Sequence, residues 1–421
     1  MSITRQRAAS ARNARIPAAF FFAAAFLVIA PLSLATQLEA APTLKYVRVG
    51  LCMIGVLVGM AGGASGRIQA AAGSLIAFAL FYTIAPIWSP YPLNGVIYKT
   101  VFLSALLLGI FVGASWRSAD ELRKGLRLLG IVASGASSLV LYQYLKSPSE
   151  MSQIGRLAAY GINANAIGMT AAGYFLITLF LAVNERGVWR WLGMGGSGVL
   201  LLVLIASGSR SSMAMALLGG AIQFIPWMKR PGRVLAATIP LAVIILLFSE
   251  GIDTTAIERF GSTENTRSGM WQAGLRLFHG SPVIGHGWLS QGRSTNNLQN
   301  VYFQILAETG IVGGALFVAA GIGMLNTIRR IYPQLEQSQR PAFFMALSVL
   351  TALAVHGIAE SALILGSTAI TMLFGMALGM FQGMLEVKRQ MQRNTSRVPA
   401  SSRWNVAISR LPTHAHPARH S

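Results

Sequence analysis

Four groups of polar residues interrupt an apolar chain, and their types suit chemistry on an anion. Arg210 stands in Ala206-Ser207-Gly208-Ser209-Arg210-Ser211-Ser212, between two apolar runs that leave no room for a loop. A charge at membrane depth is expensive, so it marks a functional site unless its side chain snorkels to the interface. The flanking serines can hydrogen-bond a ligand and begin a helix, whose N-terminus also favours anions. A second group, Gly155-Arg156-Leu-Ala-Ala-Tyr160-Gly161-Ile-Asn163-Ala-Asn165, puts an arginine, an aromatic and two asparagines at the mouth of an apolar run. Its asparagines can bind substrate or simply cap a helix.

The third group runs from Asn265 to Pro282. Trp271, Gly274, Leu275 and Phe278 fall at i, i+3, i+4 and i+7, which predicts an amphipathic helix lying on the membrane or roofing a cavity. Thr266 or Ser268 can cap it, and Gly280-Ser281-Pro282 stops it. Arg267 at its start would bring a guanidinium and free backbone N–H groups to one anion, while Arg276 faces water. The fourth group holds Gly285-His286-Gly287, then Gln299-Asn300 and Asn300, Gln304 and Glu308 at four-residue spacing. That polar stripe must face protein or a wet cavity, since lipid would not tolerate it. Helix–helix adhesion is the alternative use for it, and Gly310, Gly313 and Gly314 suit close helix packing.

The elements that position these groups are membrane spans. The chain has 421 residues, 53% apolar and 11% charged, with one cysteine. Soluble domains carry about 25% charged residues, so a water-soluble enzyme is excluded, as are internal disulfides and Cys-rich metal sites. With roughly 20 apolar residues per span, we read an all-α polytopic membrane protein of about 12 transmembrane helices. They lie near 17–36, 49–65, 68–88, 100–116, 128–144, 163–183, 192–209, 211–227, 233–249, 300–325, 343–358 and 362–385. One long loop, 250–299, separates spans nine and ten. The first span resembles a signal peptide, but the spans that follow favour an uncleaved anchor.

With both termini inside, the cytoplasmic segments carry 24 of the 34 Lys and Arg residues and the opposite side 10. The asymmetry obeys the positive-inside rule, so most of the +21 charge reports topology and implies no nucleic-acid partner. Seven of the ten outer cations fall between Lys146 and Arg293, against the rule, which suggests an outer site for an anionic ligand. The expected organisation is a cytoplasmic segment 1–16, a membrane domain 17–385 and a basic, disordered cytoplasmic tail 386–421. His414, His416 and His420 in that tail form no expected metal site, and no cofactor is expected. No internal repeat of the kind that marks secondary transporters is visible.

In this order and topology the four groups resemble the O-antigen ligase and Wzy-type polysaccharide polymerase superfamily. The resemblance covers roughly residues 80–385. It is carried by Ser209-Arg210-Ser211, the Arg267 to Trp271 stretch, Gly285-His286-Gly287, and the helix start at Asn300 that leads to Glu308-Thr309-Gly310. Trp88-Ser89-Pro90 and Asn163-Ala164-Asn165 also resemble family positions. One departure stands out. The family commonly has His before Asn as the group that activates the acceptor hydroxyl, and here Gln299 takes that place.

The resemblance implies a GT-C-like, metal-independent glycosyltransferase in the bacterial inner membrane, working on its periplasmic face. Its donor would be an undecaprenyl-diphosphate-linked oligosaccharide, and its acceptor a glycan or lipid A–core. Membrane lipids and other polysaccharide assembly proteins would be its partners. Arg210 and Arg267, with Arg156, would hold the diphosphate, and Trp271, Asn163, Asn165, Gln299, Asn300 and Gln304 would line the substrate site. His286 or Glu308 would stand in for the missing base. Polymerisation of O-antigen or exopolysaccharide repeats is the expected reaction; the alternatives are ligation to lipid A–core and, in another class, a flippase for the same lipid.

Overall fold

The computed structural model describes residues 16–35, 41–61, 70–153, 155–158, 163–228, 258, 267–289, 298–365 and 368–396. The regular structure among the described residues is helical except for one two-residue antiparallel pair, β1 (Ser152–Gln153) with β2 (Arg156–Leu157). The all-α expectation therefore needs that small amendment, and Arg156 sits on a strand. The helices are α1 (Ala18–Ala35), α2 (Ala41–Gly59), α3 (Ala70–Ile84), α4 (Pro92–Ala114), α5 (Ala119–Lys146), α6 (Ala164–Asn184), α7 (Val188–Ser207) and α8 (Arg210–Phe224). Then follow α9 (Ser268–Gly280), α10 (Val301–Ile331), α11 (Arg340–His356) and α12 (Thr368–Ser396). Among the described residues, five helices are long and apolar enough to cross a membrane, α4, α5, α6, α7 and α10, and five shorter apolar stretches accompany them. With no water at membrane depth, the backbone must satisfy itself, which is why these runs are helical.

Every expected span except the ninth overlaps a described helix; 233–249 lies outside the described residues, as do residues 1–15, Tyr160 and the tail histidines. Three boundaries differ in ways that matter. α4 starts at Pro92, not near 100, because a proline fits the first helical turn, where its missing N–H costs nothing. That start draws Lys99 into the helix. α12 runs on to Ser396, past the boundary expected at 385. α5 starts at Ala119, not near 128, capped by Ser118, whose side chain accepts from the Glu121 N–H, and so takes in Arg127. Arg127 pairs with Glu185 and lies 5.0 Å from the Trp189 ring centre, fastening α5 to the turn between α6 and α7.

α4 and α12 form the tightest contact in the fold. Each carries a Gly-x-x-x-Gly pair, Gly109 and Gly113 on one and Gly375 and Gly379 on the other. A Cβ on Gly109 would lie 2.0 Å from the Met372 carbonyl, and one on Gly113 2.0 Å from that of Met376. From the other side, Gly375 and Gly379 would meet the Leu106 and Ile110 carbonyls at 2.3 and 2.1 Å. Residue numbers rise together on both helices, so the two run parallel with backbones in van der Waals contact, the small-residue packing that membrane helices favour. α6 is the most enclosed of the five span-length helices, with 83% of its apolar window buried. α7, α8 and α11 pack around it and bring the site residues to one end of the bundle.

Candidate functional site

At that end α7 gives way to α8 through two residues. Gly208 takes φ 56, the left-handed conformation in which glycine pays no Cβ penalty, and ends α7. Arg210 is then the first residue of α8 and is half-buried. Beside it the hydroxyls of Ser209 and Ser212 bond each other at 2.8 Å. Ser212 Oγ also lies 3.5 Å from the Asn165 carbonyl and 3.4 Å from His356 Nε2. Arg156 reaches the same corner from β2, its Nε donating to the Ser207 carbonyl at 2.9 Å and its Nη2 to Asn165 Oδ1 at 2.7 Å.

Asn165 passes the connection on, donating from Nδ2 to Glu360 Oε1 at 2.6 Å. The same carboxylate oxygen receives Arg267 Nη2 at 3.3 Å. Arg156 and Arg267, 111 positions apart, thus meet around one acid that is 3% exposed. Burial pushes the Glu360 carboxyl up from its ordinary value, while Arg267, Asn165 and Arg156 pull it back down. Among the described residues, two arginines stand against one carboxylate here, with Arg210 at the adjacent helix start. Two buried donors nearby, Ser211 Oγ and Trp271 Nε1, have no hydrogen-bond partner among the described residues. Buried polar groups are nearly always paired, so these two are suited to a ligand.

The amphipathic helix expected over 268–279 is α9, which ends at Gly280 as the sequence indicates. It packs on α10, with the Trp271 and Phe303 rings 6.1 Å apart and Gly274 against Leu298 and Phe303. Arg276 is exposed, as expected, and on the predicted apolar face Gly274 is buried while Leu275 is 42% exposed. Arg267 occupies the N-cap position of α9 and makes no side-chain cap bond, so Ser268 is the first helical residue and not the cap; Thr266 lies outside the described residues.

The Asn300, Gln304, Glu308 stripe faces protein, at 5%, 0% and 1% exposure. Asn300 caps α10 by accepting from the Tyr302 and Phe303 N–H groups, and its Nδ2 donates to the Ile358 carbonyl at 2.9 Å. Asn163 is likewise a cap, accepting from the Asn165 N–H at 2.8 Å. Glu308 faces Lys99 at 2.5 Å and accepts from Gln304 Nε2 at 2.6 Å. His286 Nε2 donates to the Leu277 carbonyl at 2.8 Å, which fixes its tautomer and pins the loop to α9. The Gly-x-Gly has a steric cause. α10 breaks at Gly310 (φ 60), and residues 282–287 dock into the break, with Ile311 N–H on Pro282, His286 N–H on Ala307 and Gly287 N–H on Glu308. A Cβ on Gly285 would lie 2.3 Å from the Glu308 backbone, and one on Gly310 2.3 Å from the Val283 carbonyl.

Sequence reading passed over Glu360, His356 and Lys99. Glu360 lies in the short link between the spans expected at 343–358 and 362–385 and His356 inside the first of them, while Lys99 falls one residue before the span expected to start near 100 and is one of the ten outer cations. Each is an ionisable residue within or beside an apolar stretch, and that alone makes it a functional candidate.

With this geometry described, comparison with known proteins is informative. Residues 195–318 match the family model Wzy_C, described as O-antigen ligase. No curated protein matches the chain significantly. The match supports the O-antigen ligase and Wzy-type superfamily read from the sequence. At family level the match supports a transferase related to lipid-linked glycans, and the apolar helices suit a multi-pass membrane chain. The matched segment holds Arg210, Arg267, Gln299, Asn300 and Glu308, whereas Arg156, Asn165, Glu360 and Lys99 lie outside it and come to the site through the fold.

Proposed function

We propose that the protein is a periplasmic-face glycosyltransferase of the bacterial inner membrane that draws glycan from undecaprenyl diphosphate and polymerises repeat units. The observation that carries this reading is the cluster in which Arg267 bonds Glu360 and Arg156 bonds Asn165, itself bonded to Glu360, four residues beyond the His356 that touches Ser212 beside Arg210. A diphosphate entering this cluster would draw Arg267 from its carboxylate and Arg156 from its carboxamide to phosphate oxygens, in the bidentate geometry arginine favours.

The acceptor hydroxyl oxygen bonds the anomeric carbon, and the carbon–oxygen bond to the diphosphate breaks. The electron pair stays on the diphosphate, and the hydroxyl proton passes to one of its oxygens. Positive groups aimed at that growing charge lower the barrier, and losing one donor typically costs about 3 kcal/mol, roughly 10²-fold in rate. His286 and Glu308 already have partners in Leu277 and Lys99, so we assign them to positioning and not to proton transfer. Trp271 and Ser211 supply further donors to the donor's phosphates or sugar.

The lipid half of the donor has a matching surface. A cavity of about 270 Å³, walled by Val301, Phe317, Met324, Leu353, Gly357 and Phe374 among others, runs along α10. It is almost wholly apolar, and its wall includes Gly357, next to His356, and Val301, whose N–H bonds the Gly357 carbonyl at 2.8 Å. A polyprenyl chain seated there would keep its diphosphate at the arginine end.

The test is purified protein with lipid-linked repeat units. Longer chains on the lipid establish polymerisation; a conjugate formed only when lipid A–core is supplied reassigns the chain as a ligase. Substrate moved across a vesicle membrane but covalently unchanged would refute the transferase reading in favour of a flippase.

A further inference from the structure

A second set of charges lies buried away from the arginines. Lys99 on α4 and Glu308 on α10 are each 1% exposed and 2.5 Å apart. The same ammonium donates to the Tyr82 hydroxyl of α3. It also lies 4.9 Å from the ring centre of Trp288, a buried residue of the loop that follows α9. One cation therefore ties three helices to that loop. Desolvation offsets the attraction of a fully buried pair, so its best-attested use is to specify one geometry and not to add stability.

The loop fits its slot at backbone distance. A Cβ on Gly95 of α4 would lie 2.6 Å from Trp288 Cβ, and one on Gly287 2.6 Å from the Ala85 carbonyl. Across the slot, the His286 and Gly287 N–H groups bond the Ala307 and Glu308 carbonyls at 2.9 Å each. Trp288 closes the end, stacked on Tyr98 with ring centres 5.1 Å apart. Glu308 thus serves both sides of the contact, its carboxylate holding Lys99 and its carbonyl holding the loop. From the loop, His286 Nε2 reaches back to the Leu277 carbonyl near the end of α9. Arg267 occupies the N-cap position at the other end of that helix, roughly 15 Å away along its axis.

We propose that the Lys99–Glu308 pair is the anchor that aims Arg267: by fixing residues 282–288 against α3, α4 and α10 it fixes α9, and with α9 the guanidinium that meets the diphosphate. The inference rests on the transferase reading above. Lys99, Glu308 and His286 are positioning residues and touch no substrate. A helix of this length moves nearly as a rigid rod, so a loose anchor at one end tilts the other. A displacement of about 1 Å in a group that must meet the reacting atoms can cost 10²-fold in rate. The anchor also gives a reason for an ion pair at membrane depth, where ionisable residues are rare unless they serve function.

The test is a double-mutant cycle in the full chain, with Lys99→Met/Glu308→Gln made both in the wild type and in Arg267→Ala. Two quantities are read, the turnover of lipid-linked repeats and the affinity for undecaprenyl diphosphate. In the wild-type background turnover should fall at least tenfold and affinity at least threefold. In the Arg267→Ala background the same exchange should change each by less than twofold, because the group it positions is gone. Equal losses in the two backgrounds would show a general structural role and overturn the proposal, as would turnover and affinity near wild type in the first. Should that variant not fold, His286→Phe enters the same cycle, because it frees α9 and leaves the ion pair in place. A failure to fold there as well would make the contact purely structural and overturn the proposal. A wild-type protein that leaves the repeats unconverted would instead sink the transferase reading, and the affinity cycle would still judge the anchor.

Discussion

Arg267 has two separable effects, and an Arg267→Ala exchange should show both. In the folded protein its Nη2 lies 3.3 Å from Glu360 Oε1, with the arginine side chain 22% and the glutamate 4% exposed. Removing it strips a buried carboxylate of one charged partner while Asn165 remains bonded. Leaving a buried polar group short of a partner costs about 1–3 kcal/mol, and the partial exposure of Arg267 argues for the lower part of that range. The second effect is the loss of one donor to the departing diphosphate, about 3 kcal/mol or roughly 10²-fold in rate. The double variant Arg267→Ala/Glu360→Gln separates them. With no carboxylate left to neutralise, thermal stability in detergent should return towards wild type, while glycan transfer stays roughly 10²-fold down. Chain length on gels and melting of the same preparations give both numbers. Recovery of transfer alongside stability would show that Arg267 matters only as a counter-ion and would refute its placement on the diphosphate.

Three other outcomes follow from the same structure. Gly113→Val should destabilise the α4–α12 contact by about 1–3 kcal/mol or more, because its Cβ would fall 2.0 Å from the Met376 carbonyl; lowered melting with lost expression in the membrane checks it. Burial raises the Glu360 carboxyl above its ordinary value, so the folded state holds more protons than the unfolded state between those two values. Stability should then fall as pH rises through that window and level off above it; Glu360→Gln should remove that part of the slope in melting measured against pH. Gly310→Ala should lower both melting temperature and transfer, since φ 60 and the Val283 carbonyl at 2.3 Å both resist a side chain.

Much of the site was legible because membrane chemistry makes polar residues conspicuous. Arg210, Arg267 and the Asn300, Gln304, Glu308 stripe stood out against apolar runs, and the structure buries the stripe as the periodicity required. The break at Gly310 was not legible. Helical spacing continues through it, and only the docking of residues 282–287 reveals why glycine is needed there. The role of Glu360 was hidden for a different reason. Its partners are Asn165 and Arg267, 195 and 93 positions away, and no local pattern encodes a pairing at that distance. Lys99 was misplaced by a helix start set eight residues too late, so a residue of the α4 core was read as loop.

The account stands on guanidinium groups that hold a diphosphate. The most direct measurement is the affinity of the detergent-purified chain for undecaprenyl diphosphate relative to undecaprenol, which shares the lipid and lacks the charge. Wild type should prefer the diphosphate by at least tenfold, and Arg210→Ala/Arg267→Ala should abolish most of that preference while still binding undecaprenol. An undiminished preference in the double variant would contradict it.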